Sequence, residues 1–155
     1  MSLCLSCGLC CDGTMFEVAA ITPDEATRFG DRVTVSKDRK HLVLPCPALE
    51  GCRCTTYKDR PGVCSTFKCL ALASLDEGLM SDAEAHEAIE EVLGRRRRVT
   101  ALMGMTNDRQ ALAAARKQAA AGTASEEVTA ALASLNRALL VMLLTPEDSF
   151  LRKKK

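Results

Sequence analysis

The chain has 155 residues, 47% of them hydrophobic and 26% charged, with 21 basic against 20 acidic side chains for a formal net charge of +1; this describes a folded chain with a buried core rather than a disordered one. The charge is balanced in both halves, so no field recruits nucleic acid, and 3% aromatics with no Trp leave no stacking platform for bases. The longest apolar run, Ala138 to Leu144, has seven residues, where a membrane span needs about 20.

From Cys4 to Cys11 the cysteine spacing is too tight for a regular element and includes Gly8, so a loop folded around a centre is expected. Thr22-Pro23-Asp24-Glu25 supplies a cap, a proline at the first helical position and two acids in the first turn, predicting a short helix to about Phe29. Val33 and Val35 alternate with polar neighbours, Lys37-Asp38-Arg39 is a polar turn, and Leu42-Val43-Leu44 is a short apolar run, together a β-hairpin. Pro45, Pro47, Gly51, Pro61 and Gly62 punctuate an irregular stretch, after which a helix runs from near Cys64 to about Asp76.

The second half reads as helices. Ser81 with Glu84, Asn107 with Gln110, and Thr123 with Glu126 each have the spacing of a capping box, so three helices begin there. Val128, Leu132, Leu135, Leu139 and Met142 form one apolar stripe on the last of them. Gly122 ends the Ala-rich middle helix, Pro146 follows the final one, and Lys153-Lys154-Lys155 is a solvated tail. The fold class expected is α+β, mainly α. An irregular cysteine-rich metal-binding region with a short β-hairpin, residues 1–80, packs on a C-terminal helical bundle, residues 81–155.

All nine cysteines precede residue 70. The first residues lack a basic segment followed by an apolar one, so reduced thiols and a cytoplasmic setting are expected. An odd count with two adjacent cysteines suits metal thiolates better than a disulfide framework. In Cys4, Cys7, Cys10 and Cys11 the pattern C-x-x-C-x-x-C-C lets successive thiolates converge on one centre, and C-x-x-C-x-x-C is also how ferredoxin-type chains supply three ligands to a cubane cluster. Adjacent Cys10 and Cys11 point apart, which suits a polynuclear centre, or two nearby centres, better than one tetrahedral ion. Cys46, Cys54, Cys64 and Cys69 extend the constellation, and Cys52 and Cys54 compete for one role.

The succession C-x-x-C-G-x-C-C, a segment ending Thr-Pro-Asp-Glu, C-P-x-L, then C-x-x-Y-x-x-R-P-x-x-C-x-x-F-x-C over residues 4–69 resembles a bacterial cysteine-cluster family described as zinc- or iron-chelating. The resemblance implies a ligand set of Cys4, Cys7, Cys10, Cys11, Cys46, Cys54, Cys64 and Cys69, with Cys52 outside it. It also matches Arg60-Pro61 and Phe67, while Ser65 and Lys68 depart from the family's usual basic residue and proline. The same segment occurs within larger enzymes such as flagellin lysine methylases.

A centre of four thiolates around zinc or a four-iron cluster carries a net charge of −2, which needs donors and cations around it. Arg53, Lys58, Arg60 and Lys68 lie near ligand candidates, and the guanidinium of Arg60, held beside a proline, suits a sulfur-rich anion best. Arg60 is therefore the expected cofactor-binding residue. His41 and His86 are taken as surface residues, and phosphate loops, a Rossmann fingerprint and a nucleophile elbow are absent.

The function expected is metal binding through an iron–sulfur cluster, 4Fe-4S favoured, or zinc, in a structural, electron-transfer or sensing role rather than an enzymatic one. The helical region would offer a surface to a protein partner, with neither nucleic acid nor membrane as partner. The alternatives are a protein that buffers or delivers zinc, iron or copper, and a cluster-dependent enzyme of the kind that includes lysine methylases. Arg95 to Arg98 spread around a helix instead of forming a nucleic-acid face, with Glu91 and Arg95 in the favourable i,i+4 order. If that helix passes Gly94, Arg96 falls in the apolar stripe and needs an anion, the metal centre being the candidate. If Gly94 breaks it, the whole run turns to solvent, and this is the reading adopted.

Overall fold

A computed structural model describes residues 3–36 and 39–143; Pro146 and the Lys153-Lys154-Lys155 tail lie outside them, as do two residues of the Lys37-Asp38-Arg39 turn. The chain forms two compact units, Met1–Phe67 and Lys68–Lys155. Described residues form seven α-helices and five short strands, mainly α with a small β component. No described helix is long and apolar enough to cross a membrane.

In the first unit, α1 (Leu3–Cys7), β1 (Val18–Ile21), α2 (Pro23–Ala26), β2 (Val33–Ser36), β3 (Arg39–Val43), β4 (Leu49–Glu50), β5 (Arg53–Cys54) and α3 (Gly62–Thr66) follow in order. The predicted hairpin is β2–β3, and β1 adds a third antiparallel strand on the other side of β3. Leu42 stands opposite Ala19 and Val33. Because side chains alternate across a strand, these residues share a face with Ile21, and that face joins Phe29, Ala26 and partly buried Cys46 in one apolar cluster. Strand β1 escapes the sequence pattern because Val-Ala-Ala-Ile does not alternate in polarity.

Thr22 caps α2 with a complete capping box, yet the helix ends at Ala26 and not Phe29. Arg28 and Phe29 already donate to carbonyls three residues back, Glu25 and Ala26, so the chain tightens into the 3-10 turn Gly30–Arg32. The helix expected from Cys64 to Asp76 is two helices, α3 and α4 (Leu70–Asp76). Phe67 takes an extended conformation between them, φ −70° and ψ 128°, with its ring edge-on to Phe16 at 5.1 Å.

The second unit contains α4, α5 (Asp82–Leu102), α6 (Asp108–Ala120) and α7 (Glu126–Ala138), which continues as a π-helical turn over Leu139–Leu143. Ser81 makes the predicted capping box with Glu84, and Asn107 accepts from the N–H groups of Arg109 and Gln110. The cap of α7 is Ser125, two residues beyond the predicted Thr123. Val128, Leu132, Leu135 and Leu139 are buried as their spacing requires; the Met142 side chain lies outside the described set.

Helix α5 passes through Gly94 without interruption, which corrects the expected break. Glycine in a helix interior costs about 1 kcal/mol, and the buried stripe Ala85, Ile89, Val92 and Val99 on both sides of it outweighs that. Arg96 therefore falls in the stripe, its side chain only 13% exposed, with Nη2 3.2 Å from the Asp108 carboxylate in the first turn of α6. An acid of the same unit thus serves as an anionic partner. Arg95 reaches Ser134 on α7 at 2.6 Å and pairs with Glu91, and Arg97 reaches Glu90 at 3.4 Å. The arginine run is thus not wholly solvated.

Candidate metal centre

The first four cysteines sit on a short anchored segment rather than a plain loop. Leu3, Leu9 and Met15 are buried, which pins the chain at both ends and the middle. Between them α1 carries Cys4 and Cys7, three residues apart and so on one side of the helix. Gly8 ends α1 at φ +69°, a left-handed cap that glycine adopts without a Cβ penalty. Its carbonyl accepts the N–H groups of Cys11 and Asp12, both at 3.0 Å. Asp12, buried, accepts the N–H of Thr14 at 2.8 Å. Cys4 is exposed, Cys7, Cys10 and Cys11 are half-buried, and the Cys10 Sγ lies 3.6 Å from the Met15 Sδ.

Three further cysteines are brought to this segment by separate devices. The Cys46 N–H donates to the Cys11 carbonyl at 2.8 Å, joining two stretches 35 positions apart in the sequence. Cys54 stands opposite Leu49 in the β4–β5 hairpin, and the Leu49 N–H in turn donates to the Cys46 carbonyl at 3.0 Å. Cys64 rides on α3, whose first N–H, from Gly62, donates to Glu25 Oε1 at 2.7 Å, while Glu25 Oε2 accepts the Thr22 N–H at 2.8 Å. One carboxylate thus caps α2 and α3 together, and Arg28 adds a hydrogen bond to the Asp59 carbonyl at 2.6 Å.

Electrostatics groups four of the thiols. Burial pushes Cys11 up to about 12, and the charges of Cys64, Cys46, Cys54 and Asp12 add to it. Burial also pushes Cys64 up to about 11, with Cys46, Cys54 and Glu25 raising it further and Arg60 opposing. Cys46 is raised by burial and by Cys54, against a lowering hydrogen bond from the Ala48 backbone. The backbone bonds from Cys46 to the Cys11 carbonyl and from Leu49, opposite Cys54, to the Cys46 carbonyl place three of these cysteines close in the fold, and the charge interactions with Cys64 add the fourth. Four thiolates there would repel one another, and a soft cation removes both that repulsion and the burial cost.

The donor chemistry fits zinc or an iron–sulfur cluster, since both take four thiolates. As the side chains stand, no group of three or more His, Cys, Asp or Glu among the described residues is arranged to hold an ion.

The other predicted site residues are placed as follows. Arg60 stacks its guanidinium on the Tyr57 ring at 4.0 Å and donates to the carbonyls of Tyr57 at 2.6 Å and Cys64 at 3.3 Å. It therefore fixes the backbone at Cys64 as well as offsetting charge there. Cys69 occupies the N-cap position of α4 in the second unit, without a side-chain capping bond, two positions after Phe67 in the sequence. Lys68 is paired with Asp76 at 2.6 Å; Arg53 and Lys58 are exposed. His41 lies on β3, and His86 bonds the Asp82 carbonyl on α5 at 2.8 Å. Cys52 is exposed in the turn between β4 and β5. The double-capping role of Glu25 escapes the sequence, in which Glu25 is only an acid in the first turn of α2 and nothing indicates that its second oxygen reaches Gly62.

Among known proteins, the model of the CxxCxxCC family, described as "Putative zinc- or iron-chelating domain", matches residues 3–91. No curated protein and no solved structure matches the chain.

Proposed function

Because the chain belongs to the CxxCxxCC family of zinc- or iron-chelating domains, we propose that its first unit holds a 4Fe-4S cluster, in preference to zinc, in a structural, electron-transfer or sensing role in the cytoplasm. What carries this reading is the backbone joining of Cys46 to Cys11 and of Leu49, the partner of Cys54, to Cys46, with charge interactions extending the group to Cys64. These four are the core ligands, and Cys4, Cys7 and Cys10 complete the set available within the first unit, to the same or a second centre. The cubane-type spacing of the first three cysteines and the adjacency of Cys10 and Cys11 favour a polynuclear centre. When bound, a cluster supplies one-electron chemistry.

The chain's own residues do the rest. Glu25 holds the start of α3, Arg60 fixes the Cys64 backbone and lowers the local negative potential, and Gly8 turns the chain so that Cys11 follows Cys7 closely. A second reading, reversible metal handling, draws support from the exposure of Cys4 at the end of the segment, because an accessible thiol can hand a metal on by ligand exchange.

The deciding experiment is purification without oxygen followed by iron, zinc and acid-labile sulfide analysis with an absorption spectrum. Iron with matching sulfide and brown charge-transfer absorption is expected. Zinc without sulfide would replace the cluster by a thiolate zinc site, and a folded, metal-free protein would refute both.

A further inference from the structure

Cys52 lies outside the family's ligand pattern, yet its backbone is the surface against which the first cysteine segment rests. A Cβ added to Gly8 would lie 3.0 Å from the Cys52 Cα, 3.1 Å from its carbonyl oxygen and 3.2 Å from its Cβ. Two of those three atoms are backbone and cannot rotate away. The Cys52 thiol points to the Leu5 carbonyl at 3.8 Å, a weak bond to one of the carbonyls left over at the end of α1. Gly8 also accepts the N–H of Cys11. It thus touches, through different atoms, the segment carrying Cys4 and Cys7, the turn leading to Cys54, and Cys11.

We propose that Gly8 is a positioning residue for the metal centre: its bare Cα lets the Cys4–Cys11 segment dock on the backbone of Cys52, which sets the distance of the N-terminal thiols from Cys54, while the Cys52 thiol takes no part as a ligand. The inference rests on the metal-binding reading above. It makes the glycine of the C-x-x-C-G pattern a packing requirement imposed from across the fold, not only a turn requirement. Gly51 provides the internal comparison, because its φ is +60° but a Cβ there would meet nothing within 4 Å.

The test separates the two requirements with asparagine, which tolerates a left-handed conformation better than other side chains. Full-length Gly8→Asn and Gly51→Asn proteins, stripped and titrated with Co2+, are compared by affinity and by thiolate-to-cobalt charge-transfer intensity per bound ion. Gly8→Asn should bind about 10- to 100-fold more weakly, the range for loss of support around a ligand shell, with weaker charge transfer per ion. Gly51→Asn and Cys52→Ser should match the unmodified chain in both readouts. Equal affinity and intensity for Gly8→Asn and Gly51→Asn would overturn the proposal, as would loss of charge-transfer intensity in Cys52→Ser.

A measurement on the unmodified chain avoids any dependence on how Gly8→Asn folds. In the cobalt-loaded protein, iodoacetamide should alkylate Cys52 and spare Cys54; protection of Cys52 would overturn its exclusion as a ligand. If the unmodified chain, purified without oxygen, carries no iron, sulfide or zinc and binds no Co2+ through thiolates, it is the metal-binding reading that fails, and the two failures are distinct.

Discussion

Replacing Arg96 by alanine should destabilise the protein far more than replacing Arg98, although the two are separated by one residue in a run of four arginines. The Arg96 side chain is 13% exposed and its partner Asp108 29% exposed, at 3.2 Å, whereas Arg98 lies on the exposed side of α5. Breaking a fully buried pair costs about 3–5 kcal/mol and losing an exposed one about 0–1 kcal/mol. Asp108 keeps some stabilisation after truncation because it sits in the first turn of α6, near the positive end of that helix. The lost packing of the arginine stem adds back part of the difference.

These terms place Arg96→Ala at about 2 kcal/mol, which at roughly 2–4 °C per kcal/mol for a chain of this size lowers Tm by about 4–8 °C. Arg98→Ala should stay within about 0.5 kcal/mol, or about 1–2 °C. Thermal unfolding followed by circular dichroism, with both variants in the same metal-loading state, measures the difference. Combining Arg96→Ala with Asp108→Ala should give a coupling energy of about 1–2 kcal/mol. Equal melting temperatures for Arg96→Ala and Arg98→Ala, or additive effects in the cycle, would refute the reasoning.

Cys11→Ser, Cys46→Ser, Cys54→Ser and Cys64→Ser should each lose metal and, because thiolate binding is coupled to folding, solubility as well; full metal content by elemental analysis in any one would remove that residue from the core set. The metal-free protein should lose stability as pH rises from 9.0 towards about 12: the unfolded chain ionises its thiols first, while burial keeps Cys11 protonated, so the contribution is complete below pH 9.0 and vanishes through the folded value. Denaturant midpoints that do not fall over this window would contradict the grouping of the thiols. Glu25 is held below its ordinary value by the N–H groups of Thr22 and Gly62, so its contribution is present above pH 4.5 and is lost as pH falls below it. Glu25→Gln, which keeps the shape but turns an amide donor towards one of those N–H groups, should lower Tm at pH 7 and flatten that acid limb; an unchanged acid limb would show that Glu25 does not clamp α3.

Much of the local structure was legible because it is encoded locally. Thr22, Ser81 and Asn107 cap helices through atoms within three residues, and the α7 stripe needs only a helical repeat to be recognised. The cysteine spacing likewise marked a metal-chelating segment, since short chain separations limit where thiols can go. What the sequence left open were the relations that span long distances along the chain. The pairing of β1 with β3, the joining of Cys46 to Cys11, the reach of Glu25 to Gly62, the seat of Gly8 on Cys52, and the pairing of Arg96 with Asp108 all depend on contacts between segments that are not neighbours on one element. A glycine at position 94 or a half-periodic Val-Ala-Ala-Ile has no fixed local outcome; burial of the surrounding side chains decides it, and burial exists only once the tertiary structure has formed.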